Sequence, residues 1–302
     1  MNSSASHIND IYEDVLNALL SIGKVSAPRG QPIREILNAH IELTNSRGCL
    51  LTHFGRKLNY HFAVAEWWWI ASGRSDVASI AAYNKNIAQF SDDGKTFFGN
   101  YGTPWTTQLP YILDTLRNDP ASRQAVTTIW RPNPAKTKDV PCTISMQYLI
   151  RDNQLHAIVT MRSSDAWLGL PYDVFNFAQL QSMIASELRV AAGTLYLNLG
   201  SLHLYDRNRA DAIRCIESMD ATKKDYAITG RVTLEPLPGI FGPEELAVPL
   251  GNVESFDSYM IRNRAWEPYI RTLANRHNPN VMVLGTMGTV LETQETYNRS
   301  VE

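Results

Sequence analysis

Residues 139–173 read DVPCTISMQYLIRDNQLHAIVTMRSSDAWLGLPYD. Within them, residues 144–149 and 155–160 alternate or run apolar about the polar set Arg151-Asp152-Asn153-Gln154, a pattern that predicts a two-stranded hairpin. Cys142 follows Pro141 at the loop-to-strand junction that opens this hairpin, and Arg162 stands one strand away. A guanidinium beside a thiol favours the charged sulfur, so the reading expects Cys142 to be a reactive thiolate. The plain alternative is a small buried hydrophobe. Beyond Arg162, two serines and Asp165 precede the apolar run Trp167-Leu168-Gly169-Leu170-Pro171.

On the carboxyl side, Val174, Phe177, Leu180, Ile184 and Leu188 share one face, which predicts a helix over 173–190 packed on the sheet. Asp173 and Asn176 occupy its first turn, where an aspartate also serves as a cap. Residues 195–205 read as a strand whose alternation sends His203 and Tyr205 to one face. On the amino side, Ile8, Ile11, Val15, Leu19 and Leu20 predict a helix over 8–22, and a Pro/Gly loop at 26–32 carrying Arg29 leads into a strand over 34–44. Residues 58–71 are apolar except for Glu66, so a buried helix is expected with one carboxylate that must be paired, protonated or hydrated. Trp67, Trp68 and Trp69 span three faces of it, and at least one is expected to meet a cavity or partner. Helix is expected to continue over 75–90, then a turn at 91–95, Asn100-Tyr101-Gly102, a helix over 107–116 and a strand over 125–130 after Arg123. Residues 207–219 predict a further helix, and 234–251 a Pro/Gly-rich loop.

The chain has 302 residues, 44% of them hydrophobic, with a formal net charge of −2. That is ample for one large domain and argues against a polymeric nucleic acid or an anionic membrane as partner. The first residues lack the basic and apolar runs of a signal peptide, and no long apolar stretch follows, so a cytoplasmic protein is expected. The cysteines, Cys49, Cys142 and Cys215, are odd in number and lack metal-type spacing, which argues against a disulfide framework.

Pro-Cys, then Arg-Ser-x-Asp, then Leu-Gly-Leu-Pro-Tyr-x-Val, then His203-Leu204-Tyr205 resembles the thymidylate synthase family in order and spacing, from about Arg29 to Tyr205. The resemblance implies an α+β fold: a mixed β-sheet with helices packed on one face and two subunits joined sheet to sheet. It implies a single catalytic domain over 1–302 with a divergent C-terminal extension from about 240. It also implies that Cys142 attacks C6 of a pyrimidine nucleoside monophosphate, with Glu66, Tyr101 and Asp165 as further catalytic residues. Arg29 (or Arg34), Arg162, Ser163, Asp173, Asn176, His203 and Tyr205 would bind that substrate, and Arg123 would reach the neighbouring subunit's phosphate. The co-substrate would be 5,10-methylenetetrahydrofolate, with no metal. Two departures stand out: Arg123-Gln124 replaces a common arginine pair, and the tail does not match the family's short closing terminus.

Asparagine stands at the position of Asp173 in the uracil enzymes, and aspartate accompanies the cytidylate hydroxymethylases. The sequence therefore points to hydroxymethylation of a cytidine monophosphate, CMP or dCMP. Reductive methylation of dUMP, or methylation of dCMP, is the enzymatic alternative, and a catalytically silent nucleotide-binding homologue the non-enzymatic one.

Overall fold

The computed structural model describes residues 1–132, 136–225, 231–253, 264–283 and 285–301. Among these, eight strands form one sheet: β1 (Asn2–Ala5), β2 (Lys24–Ser26), β3 (Ile33–Leu43), β4 (Val126–Thr128), β5 (Thr143–Arg151), β6 (Gln154–Met161), β7 (Ser164–Asp165) and β8 (Ala191–Tyr205). The order is β1-β3-β8-β6-β5-β4, with β2 beside β3 and β7 beside β8. The β8–β6 and β1–β3 pairs are parallel and the β3–β8 and β5–β6 pairs antiparallel, so the sheet is mixed, as expected. The predicted hairpin is β5–β6. Its turn residues Asp152 and Asn153 both take positive φ, 50° and 58°, the conformation a tight two-residue turn needs and one that these short polar side chains tolerate.

The helices are α1 (Ile8–Ile22), α2 (Tyr60–Ala71), α3 (Val77–Ala81), α4 (Gly102–Asn118), α5 (Leu170–Glu187), α6 (Arg209–Asp225), α7 (Pro243–Leu246), α8 (Glu267–Asn275) and α9 (Gly285–Val301). Helix α5 packs on β6 and β8, α1 packs on β3, and α2 lies against α5. Alternate residues of the strands, such as Ala157, Val159, Leu195, Leu197 and Leu199, are buried beneath them. The opposite row, including His40, Glu42, Thr160, Tyr196 and Asn198, keeps accessible surface. Leu37 on it is 68% exposed.

Several expectations change. The helix over 75–90 breaks into α3 and a 3-10 segment at Lys85–Phe90, because Asn84 turns extended and its side chain caps Asn86. Helix α4 starts five residues early: Asn100 Oδ1 accepts the Thr103 N–H and so supplies an N-terminal partner. The strand after Arg123 contracts to three residues. The three tryptophans meet no cavity. Trp67, Trp68 and Trp69 are all buried, and Phe241, Trp266 and Tyr269 pack on the first two, with the Trp68 and Phe241 centroids 4.3 Å apart. The segment after residue 230 thus joins the main core, which also explains why α2 is apolar on every side. Helix α9 follows: Tyr297 packs on Phe54, and Gln294 Nε2 donates to the Leu58 carbonyl at 3.0 Å.

Candidate active site

The hairpin register brings the thiol and guanidinium together. Thr143 pairs with Met161, and Arg162 N–H donates to the Cys142 carbonyl at 2.8 Å. A register shift between Thr143 and Ser145 gives β5 one extra residue beside the cysteine, a bulge of the kind that re-aims side chains at strand ends. Arg162 Nε donates to the Pro141 carbonyl at 2.9 Å and Nη2 to that of Val140 at 2.8 Å, with Nη2 also 3.6 Å from the Cys142 sulfur. Ser163 Oγ lies 3.7 Å from the same sulfur and accepts from Arg162 Nη1 at 3.2 Å. Tyr101 joins from the amino end of α4, its Oη accepting the Thr143 N–H at 3.3 Å.

The expected thiolate does not follow from this proximity. Burial pushes the Cys142 thiol up from its ordinary value more strongly than Arg162 pulls it down. The guanidinium spends Nε and part of Nη2 on backbone carbonyls, so its pull on the sulfur is shared. Cys142 is therefore a thiol at neutral pH.

Three carboxyl groups lie deeper. Glu66 and Asp173 are largely enclosed by protein yet retain some accessible surface. Burial raises Glu66 to about 7, opposed by a hydrogen bond from Asn176 Nδ2 to its Oε2 at 2.8 Å. Burial, then the charges of Glu66 and Asp165, hold Asp173 well above the usual carboxylate range. The shift favours the neutral form of Asp173, which has one donor and one acceptor. Asp165 is occupied structurally: its Oδ1 accepts the N–H groups of Trp167 at 2.8 Å and Leu168 at 3.0 Å, shaping the turn into α5. Asn176, expected to touch substrate, is 2% exposed and turned toward Glu66. Thr143 Oγ1, beside Cys142, is buried without a hydrogen-bond partner among the described residues.

The strand ends supply the remaining groups. Glu35 of β3 pairs with His203 of β8, and Asp165 of β7 pairs with it on the other side. Burial lowers the His203 pKa, so its ring is neutral at pH 7. The rings of His203 and Tyr205 meet edge to face at 5.3 Å, confirming their shared side of β8. Arg29 takes a positive φ of 55° and donates from Nη2 to Tyr205 Oη at 3.4 Å, which sets it beside the His203 and Tyr205 side of β8, whereas Arg34 lies on β3 with its Nε buried. Arg123 is exposed on the loop before β4, toward the Arg151 end of β5, whereas Cys142 lies at the other end. It is not brought to the Cys142 site of its own chain.

Arg56 escaped the sequence reading. Its side chain is buried, donates Nε to the Trp167 carbonyl at 3.1 Å with Nη2 on the same oxygen, and stacks over the Trp167 ring at 4.5 Å. It thereby anchors the turn that aims Asp173. A lone arginine between Gly55 and Lys57 carries no local signal of this.

A family model described as thymidylate synthase matches residues 10–230. The chain belongs to the thymidylate synthase family. The match ends where the described segment 231–253 begins, so the aromatic cover over Trp67 and Trp68 lies outside the shared region. The deoxyuridylate hydroxymethyltransferase of Bacillus phage SP01 is 35% identical over 222 residues, which are 67% of this chain and 58% of the phage protein. Thymidylate synthase 1 of Bacillus spizizenii is 27% identical over 223 residues, 66% of this chain and 78% of that protein. The thymidylate synthase of Corynebacterium aurimucosum is 27% identical over 217 residues, with 67% and 80% covered.

Within this thymidylate synthase frame, Arg162 is the clearest candidate for an anion contact, since Nη1 keeps a second N–H after serving Ser163 Oγ. Arg162→Ala is expected to weaken a nucleoside monophosphate roughly 10-fold or more, the scale of a hydrogen bond to a charged group, and the nucleoside much less. Calorimetric titration of both ligands checks this. Equal losses would leave Arg162 as a strut for the 139–142 loop.

Proposed function

We propose that the protein transfers a one-carbon unit from 5,10-methylenetetrahydrofolate to C5 of a cytidine monophosphate, and that water completes the product as 5-hydroxymethyl. The observation that carries this reading is Asp173, a carboxyl group on the first turn of α5 whose burial favours the neutral form. Its O–H donates to N3 of cytosine while its carbonyl accepts from the 4-amino group. As the Cys142 thiol gives its proton to water and its sulfur bonds to C6, electron density moves into the ring, and a proton from Asp173 to N3 neutralises it, to be returned when the sulfur leaves. C5 then bonds to the methylene carbon, loses its proton, and tetrahydrofolate departs. Water adds to the exocyclic methylene, and the sulfur leaves C6 with its bonding pair. Glu66, beside C5 chemistry and close to 7, is suited to moving the protons.

Binding falls to the groups around this centre. Arg29, Arg162 and Ser163 hold the phosphate, and His203 and Tyr205 hold the sugar. A second copy packs on the open sheet face, whose His40 and Asn198 already share a 2.9 Å hydrogen bond, and delivers its Arg123 to the phosphate. Tyr101 keeps the catalytic role that the motif implies, beside the attacking sulfur, and Asp165 acts through the turn it holds at Trp167 and Leu168.

One observation favours uridylate as the second reading. A neutral carboxyl can also donate to O4 and accept from N3–H, and the phage relative is named for deoxyuridylate. One assay separates the outcomes: each monophosphate is incubated with methylenetetrahydrofolate, and the folate product is identified. Tetrahydrofolate with a cytidylate is the expected result. Dihydrofolate means reductive methylation, uridylate turnover moves the base assignment, and no turnover with any nucleotide leaves a binding homologue.

A further inference from the structure

Asn176 lies one helical turn beyond Asp173 on the same side of α5. Its amide has a single partner: Nδ2 donates to Glu66 Oε2, and the buried Oδ1 has none. An asparagine with half its polar atoms unmatched weakens the fold relative to an apolar residue of that size, so stability does not account for it. The arrangement does something else. It ties up Oε2, leaving Oε1 as the other oxygen of Glu66, and it opposes the burial that would otherwise keep the carboxyl protonated. The titratable groups facing Glu66 are Asp173 and Tyr172, both on α5, and its own helix surrounds it with alanine and tryptophan.

We infer that Asn176 is the positioning residue for Glu66, its amide holding Oε2 and so fixing Oε1 as the oxygen left for proton transfer. The inference rests on the reading of Glu66 as the proton-handling group. It assigns Asn176 no contact with the substrate. Asp173 and Asn176 then divide the work on one helix face, the first reading the base and the second holding the group that moves protons.

The test follows the Glu66 carboxyl by carbon-13 NMR titration of the full chain, with pH profiles of kcat/KM alongside. Asn176→Leu keeps the volume without the donor, and Asn176→Ser keeps a donor with less volume. In Asn176→Leu the Glu66 resonance and the acid limb of the profile should move to higher pH by about one unit or more, with the nucleotide KM little changed. In Asn176→Ser both should return toward the wild-type position. A Glu66 resonance that does not move in Asn176→Leu overturns the inference. So does an equal fall of kcat in both variants without a shift of the limb, the mark of a packing role. Glu66→Gln separates the two levels: if it keeps full turnover, the role given to Glu66 fails, whereas a dead Glu66→Gln beside an unshifted Asn176→Leu defeats only the role given to Asn176.

Discussion

Cys142→Ser should lose turnover by roughly 10⁴-fold or more while keeping its affinity for the nucleotide, the pattern left when the nucleophile of a covalent mechanism is removed. The reason lies in the proton. Even the native thiol is raised by burial, and a serine hydroxyl starts far higher, so the same Arg162 guanidinium cannot make it a nucleophile. Binding should survive because the groups assigned to phosphate and sugar are contributed by other residues. Single-turnover kinetics and calorimetric titration read the two quantities separately. Turnover within 10-fold of wild type would end the covalent mechanism. Loss of binding alongside turnover would mean that the 139–142 loop had moved, which Arg162 resists by holding the Val140 and Pro141 carbonyls.

Asp173→Asn should lower cytidylate turnover by about 10²-fold or more and cost uridylate less, or improve it. An amide still donates and accepts, so the variant retains both contacts to either base. What it cannot do is release a proton to N3 as charge enters the ring. The same logic sets the pH dependence. Asp173 acts in its neutral form, its pKa is raised, and turnover of cytidylate should therefore fall on the alkaline side as the carboxyl ionises. That limb should vanish in Asp173→Asn. Side-by-side kcat/KM values for the four monophosphates decide it: an unchanged cytidine-to-uridine ratio would remove Asp173 from base selection. Burial, with the charges of Glu66 and Asp165, favours the neutral acid, so selection rests on the proton that Asp173 can release.

The elements legible in the chain were those written in local periodicity. The helix at Ile8–Ile22 was read to its residue because its apolar stripe ends at Gly23, and the β5–β6 hairpin because polar residues at its turn interrupt two apolar runs. Boundaries failed where a side chain outranked the pattern, as with Asn84 ending the 75–90 helix and Asn100 starting α4 early. The fate of the three tryptophans was illegible because their partners Phe241, Trp266 and Tyr269 lie far along the chain, in a region with little motif of its own.

By itself the sequence determined that Cys142 and Arg162 would meet, since a hairpin of known turn position leaves one register, and that Asp173 would sit on the first turn of a helix aimed from that same stretch. The tertiary structure alone decided what protons these groups carry. Ionisation depends on desolvation, and desolvation depends on every atom packed nearby, whatever its place in the chain. Asn176 reaches Glu66 across 110 residues and Arg56 reaches Trp167 across 111. Such contacts form only when α2, α5 and the turn before α5 are packed, so the thiol at Cys142, the neutral acid at Asp173 and the poised carboxyl at Glu66 are properties of the fold.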